Sequence, residues 1–155
     1  MESDEAYMDN YEAQSALDAV RDTDRLMAER MKWPLWRHAI VGVMMAALLL
    51  GIVLPFDWQI PISGLVLLMV FLVIRDDKKR HGMFVSGYQK GRTGWVLAIQ
   101  FALFVAALLT TNTWVDQPLQ SPLFWGIEAI LLVGSTALSV LWQKVYQADL
   151  KAGRA

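Results

Sequence analysis

The sequence predicts an all-α integral membrane protein: a bundle of four transmembrane helices with an N-terminal cytoplasmic amphipathic helix. Three observations carry this prediction. The apolar residues form four long blocks, the basic residues avoid two of the loops between them, and the tryptophans gather at the block ends. Of the 155 residues, 55% are hydrophobic and 19% are charged, whereas a soluble domain is about 25% charged.

Composition also narrows the function classes. The net charge is -1, so no overall basic field attracts nucleic acid. The chain has no cysteine, which excludes disulfides, thiolate catalysis and Cys-ligated metals. A signal peptide begins with basic residues and continues with an apolar run. This sequence begins instead with the acidic Glu2, Asp4 and Glu5, so we expect no cleaved leader.

Residues 1–33 are predicted to form a polar cytoplasmic arm. Residues 1–12 are acidic and predicted to be disordered, whereas residues 15–31 have helical spacing. The less polar face of that helix holds Ala16, Val20, Thr23, Met27 and Met31, and the charged face holds Asp18, Arg21, Asp22, Arg25 and Glu29. Such a helix either binds a partner or a second copy, or lies against the membrane or the cytoplasmic loop.

The four apolar blocks define the transmembrane domain, predicted over residues 34–147 and followed by a cytoplasmic tail at 148–155. A spanning helix needs about 20 mainly apolar residues. The blocks cover residues 35–56, 58–74, 95–114 and 123–142. They are uniformly apolar rather than alternating, which argues against a transmembrane β-barrel.

The basic residues predict the orientation. All 14 lie before or at the start of the first block, between the second and third blocks, or after the fourth. The two remaining loops carry only Asp57 and Asp116 as charged residues. Because basic loops stay cytoplasmic, both termini and the loop 75–94 are expected in the cytoplasm. The small size and short loops favour the plasma (inner) membrane.

Six tryptophans are predicted to anchor the helix ends at the membrane interface. An indole ring is apolar with one N–H donor, so it prefers the headgroup boundary. The six are Trp36, Trp58, Trp95, Trp114, Trp125 and Trp142.

Small residues recur every four positions in two blocks, and such stripes allow helices to approach closely. The stripes are Gly42 with Ala46, and Ala98 with Ala102 and Ala106. They fit packing within the bundle and dimerisation equally well.

Polar residues inside the blocks form the candidate intramembrane site. Glu128 is the only acidic residue well inside a block, and Ser135 and Ser139 follow on the same helical face. Ionisable groups in membrane helices are costly and often carry protons or bind substrate. Gln100 is expected to bond to a neighbouring helix. Alternatively, Glu128 reaches the outer headgroups and has no such function.

The loop 75–94 is rich in basic residues. Five of them are candidate contacts for anionic lipid: Lys78, Lys79, Arg80, Lys90 and Arg92. The alternative is that they only orient the protein. His38 and His81 lie at the cytoplasmic side without neighbouring carboxylate spacing, so no metal or cofactor is expected. The loop lacks the Gly-Lys-Ser/Thr of a phosphate-binding loop.

We expect a non-enzymatic accessory, scaffold or regulatory subunit, because the candidate catalytic groups are isolated along the chain. Its partners would be the bilayer, anionic lipid, and another protein or a second copy. The alternative is a small homo-oligomeric transporter that uses Glu128 for proton or cation coupling.

Overall fold

The computed structural model describes residues 2–30, 33–81 and 92–152, except the side chains at 2–10, 24, 27, 30, 80 and 81. The regular structure in these ranges is helical, which confirms the all-α prediction. The helices are α1 (Glu2–Arg30), α2 (Leu35–Val53), α3 (Phe56–His81), α4 (Thr93–Trp114) and α5 (Pro122–Lys151), with a 3-10 turn at Pro118–Gln120.

Helix α5 is the centre of the bundle. It packs against α2, α4 and the end of α1, whereas α3 packs against α2 and has no comparable contact with α4 or α5. Helices α2 and α4 run antiparallel to α3 and α5. We call the end where α1 packs and α2 and α4 begin the arm end, and the opposite end the loop end.

Helices α2 to α5 are each long and apolar enough to cross a bilayer, as predicted. Their outward faces are apolar as well. In α3, for example, Leu67 and Phe71 are exposed, and among its described side chains only Val66 and Asp77 are buried. An apolar exterior of this kind suits hydrocarbon as the surrounding solvent.

Helices α2 and α5 approach each other closely at Gly42. A methyl group added there would overlap the carbonyl oxygen of Leu132 and the hydroxyl of Thr136. The small residue therefore brings two helix backbones together, as the first stripe allowed. The alanine stripe of α4 differs, because Ala98, Ala102 and Ala106 all face outward.

Several predicted boundaries were wrong. Helix α2 ends at Val53 rather than 56, because a residue before proline disfavours the helical conformation and Leu54 is extended. Helix α3 continues to residue 81 and α5 to residue 151, so no boundary separates a tail at 148. Lysine, arginine and glutamine have high helix propensity, and hydropathy alone ended these blocks too early.

The structure also differs from the disorder predicted for residues 1–12, since α1 begins at Glu2. Low hydrophobicity predicts that a segment lacks a core, but it does not oppose helix formation. Glutamate, alanine and methionine have high helix propensity, and acidic residues near a helix N-terminus interact favourably with its dipole.

Candidate functional site

The buried face of α5 carries polar side chains along most of its length. They recur at spacings that return to the same face, and they are Glu128, Ser135, Ser139, Gln143 and Asp149. Because α5 is central, this face points at α2 and α4, and its polar groups can bond to both. The structure divides them into three parts along the helix.

The middle part joins α2 to α5 through His38. Its Nδ1 lies 2.9 Å from the hydroxyl of Ser139, and its Nε2 lies 2.8 Å from the amide oxygen of Gln143. An amide oxygen only accepts, so Nε2 carries the proton and Nδ1 accepts from the Ser139 hydroxyl. His38 is 3% exposed, which fixes its ring between the two helices.

Sequence reasoning treated His38 as an ordinary interfacial residue and so missed this contact. A signal was present, because His38 precedes Gly42 by four residues and therefore shares its helical face. The face that approaches α5 most closely is also the one that carries the histidine.

Gln100 belongs to the same region and behaves as expected. Its amide nitrogen donates to the hydroxyl of Ser135 over 2.8 Å, which joins α4 to α5. Ser135 is fully buried. Three of the four predicted intramembrane polar residues thus form hydrogen bonds between helices in the same region of the bundle. They are Gln100, Ser135 and Ser139.

Glu128 stands apart from that group. It lies seven residues before Ser135, about 10 Å along the helix, and the apolar Leu131 is buried between them. Glu128 is 7% exposed, and its Oε1 has no hydrogen-bond partner; the same holds for the hydroxyl of Thr111 on α4. The carboxyl is therefore inside the bundle rather than at its surface.

At the arm end, two ion pairs tie the helices together. Arg37 donates to both carboxylate oxygens of Asp77 over 2.9 and 2.5 Å, and its guanidinium lies 3.3 Å from the centre of the Trp33 ring. Asp149, which is fully buried, accepts from the backbone N–H and the Nε of Arg92. Both pairs join helices distant in sequence, so these arginines do more than set orientation.

An aromatic stack lies beside these pairs. The rings of Trp33 and Trp142 are parallel with centroids 5.5 Å apart, and Tyr146 stacks on Trp142 at 5.1 Å. Ala28, the only described buried residue of α1, packs in the same cluster. The stack therefore attaches the end of α1 to α5.

Trp142 was predicted to be an interface anchor, and this was wrong. It is 6% exposed because the stack encloses it. The other five predicted anchors are exposed, as an interfacial role requires: Trp36, Trp58, Trp95, Trp114 and Trp125.

A cavity of about 310 Å³ opens in the arm half of the bundle. Helices α2 and α5 line it, for example with Met44 on α2 and Ser139 on α5, and α3 and α4 line its two sides without packing closely together. Its lining is mainly aliphatic, and the polar groups on it are those of Arg37, Gln100 and Ser139 together with the indole N–H groups.

Three of the five candidate lipid contacts have described side chains, and they lie on or next to the two helices α3 and α4 that line this cavity. Lys78 and Lys79 are exposed at the end of α3, and the Arg92 side chain is 59% exposed at the start of α4. Lys90 and the side chain of Arg80 lie outside the described residues, as does the side chain of His81.

Within the described part of the chain, no three potential ligand side chains come together as a metal site. Comparison of the chain with protein-family models, with curated proteins and with solved structures found no match.

Proposed function

We propose that the protein is a non-enzymatic membrane subunit whose helix α1 docks a partner protein in the cytoplasm. The single observation that carries this proposal is the exposure of α1. It is helical over 29 residues, yet every residue from 11 to 23 is exposed and only Ala28 of its described side chains is buried. Helices in proteins are stabilised mainly by packing against other elements. Helix α1 gains little of this packing from the rest of its own chain.

The orientation in the plasma membrane follows from the charges. Eleven of the 14 basic residues lie in the described part of the chain: three in α1, one at the start of α2, four near the end of α3, one just before α4 and two near the end of α5. These eleven are on the arm-end side, and we infer that this side is cytoplasmic because basic segments stay in the cytoplasm. Helix α1 is then cytoplasmic too.

The exposed part of α1 has apolar side chains that a partner would cover. Tyr11, Leu17, Val20 and Leu26 are each more than half exposed. Leu17 and Val20 are three residues apart and therefore neighbours on the helix surface. An amphipathic helix laid in an apolar groove is a recurring mode of protein recognition.

The charge of α1 indicates the kind of partner surface. Residues 1–30 hold nine of the 15 acidic residues and only three basic ones. An anionic lipid surface would repel such a segment, which favours a protein over the bilayer. The partner surface should be an apolar groove with a basic rim.

The bundle itself supports a structural role. The hydroxyls of Ser135 and Ser139 and the His38 ring bond to neighbouring helices, which uses these groups for packing. Hydrogen bonds of this kind between transmembrane helices contribute about 0.6 kcal/mol on average.

The test is the composition of the particle extracted from native membranes in mild detergent with a C-terminal tag. We expect a stoichiometric second protein with the wild-type chain and with Glu128→Gln, but not with the double variant Leu17→Gln and Val20→Gln. Both arm substitutions are on the exposed surface, so the bundle should remain folded. A lone chain in all three samples, or loss with Glu128→Gln alone, would contradict the docking function.

A second candidate function is transport by a homo-oligomer, and the burial of Glu128 favours it. A carboxyl with an unpartnered oxygen inside a bundle is a reason to consider proton or cation coupling. It ranks second because the apolar Leu131 separates Glu128 from the Ser135 and Gln100 pair. Flux into liposomes that depends on pH and disappears in Glu128→Gln would support it, and flux equal to that of empty liposomes would exclude it.

A further inference from the structure

The cavity and the basic residues at the arm end are parts of one cleft between α3 and α4. Its walls carry Val70, Val73 and Ile74 on α3 and Val96 and Leu97 on α4. Since α3 has no close packing with α4, the cleft opens sideways. In a membrane, that side is the hydrocarbon of the cytoplasmic leaflet.

Cationic side chains stand one helical turn beyond the cavity on both walls. Lys78 follows Ile74 by four residues, and Arg92 precedes Val96 by four. Residues four apart share a helix face, so both cations project at the arm-end mouth of the cleft, about 5 Å beyond the lining.

Both cations can reach a ligand. Lys78 is exposed. Arg92 uses its backbone N–H and Nε on Asp149, which leaves four N–H donors on its two Nη atoms, and its side chain is 59% exposed. The Asp149 contact also limits the positions of the guanidinium, so it is partly organised before a ligand binds.

We propose that this cleft binds an anionic phospholipid. Its phosphate lies between Lys78 and Arg92, and one acyl chain enters the 310 Å³ cavity. The occupant is a lipid rather than a soluble anion because the cavity lining is mainly aliphatic and opens toward the bilayer. An anionic headgroup is indicated because Lys78 supplies a positive charge on one wall, and Arg92, whose charge Asp149 balances, still presents its Nη donors on the other. Volumes of 300–1,000 Å³ with mainly apolar walls and a few polar groups are typical of ligand sites.

The ion pair of Arg37 and Asp77 lies at the edge of the proposed site. Asp77 is the carboxylate nearest to Lys78 in sequence, and Arg37 holds both of its oxygens in a buried contact. Its charge is therefore compensated, and it does not cancel the positive potential at the mouth. This site does not depend on the docking function of α1, since none of its groups belongs to that helix.

The experiment is native mass spectrometry of the full chain with two lipids that have the same acyl chains, phosphatidylglycerol and phosphatidylcholine. We expect phosphatidylglycerol to bind at least fivefold more tightly, since each basic residue near the surface contributes a factor of about five. Lys78→Gln should weaken phosphatidylglycerol about fivefold and leave phosphatidylcholine unchanged. Lys144→Gln, on an exposed face of α5 away from the cleft, is the matched control and should change neither.

A second pair of variants, both on α3, tests whether the cavity holds the acyl chain. Val73→Trp fills the cavity and should weaken both lipids, whereas Leu72→Trp adds the same ring on the outward face and should not. Equal affinities for the two lipids, or equal effects of Lys78→Gln and Lys144→Gln, would overturn the proposal. The lysine variants are on the surface, so this result does not depend on the folding of Val73→Trp.

Discussion

Helices α1 and α5 are nearly equal in length, at 29 and 30 residues, but opposite in burial. Helix α5 buries eight residues, three of them polar or charged, against three other helices. Helix α1 buries Ala28 alone among its described side chains. The comparison shows that helix length and helix packing are separate properties in this chain.

The cause of the difference is the pattern of residues. In α5, small, apolar and hydrogen-bonding groups return every three or four positions on one face, so neighbouring helices can approach and bond along it. In α1 acidic residues are frequent, and the apolar groups are too few to build a core. Substitutions should therefore destabilise the bundle strongly and the arm hardly at all.

The largest effect is expected from Asp77→Asn. The change leaves the Arg37 guanidinium buried without its carboxylate, and breaking a buried ion pair costs about 3–5 kcal/mol. The free energy of unfolding in detergent, measured by denaturant titration, should fall by that amount. Asp57→Asn, at an exposed carboxylate of the same helix, is the control; equal effects of the two would show that the pair does not stabilise the bundle.

A smaller loss is expected from Gly42→Ala. The added methyl group meets the backbone of α5, which cannot move without separating the two helices, and overpacking typically costs about 1–3 kcal/mol. Gly64→Ala on α3 is the control, since nothing lies within 4 Å of a methyl group there. It should be neutral or stabilise by about 0.5–1 kcal/mol. The same titration measures both, and a neutral Gly42→Ala would contradict the close approach.

The smallest effect is expected from Leu17→Gln in α1. Leu17 is 57% exposed, so the free energy of unfolding should change by less than about 0.5 kcal/mol. The variant should still weaken partner binding in native membranes. A large loss of stability would mean that α1 packs on the bundle along its length, and the contrast with α5 would fail.

Much of the fold could be predicted from the sequence. The four apolar blocks needed only hydropathy, whereas the small residues at Gly42 and Ala46 fitted packing within the bundle and dimerisation equally well, and only the structure shows the approach of α5 to Gly42. The candidate site was predictable in part: Gln100 bonds between helices as expected. The bonds of His38 and the burial of Trp142 were not predicted, because residues near a block end can face either the interface or the bundle, and only the rotation of the helix decides between them.

The sequence by itself determined that this chain has four helices long and apolar enough to span a membrane and a strongly acidic N-terminal segment, because hydropathy and charge act locally and can be summed along a segment. Only the tertiary structure decided which polar groups meet. His38 and Ser139 are 101 positions apart in the sequence, and Arg37 and Asp77 are 40 positions apart. Whether such residues meet depends on how neighbouring helices are rotated and aligned. The cleft between α3 and α4 arises in the same way, from two helices that each pack elsewhere and leave a gap between them.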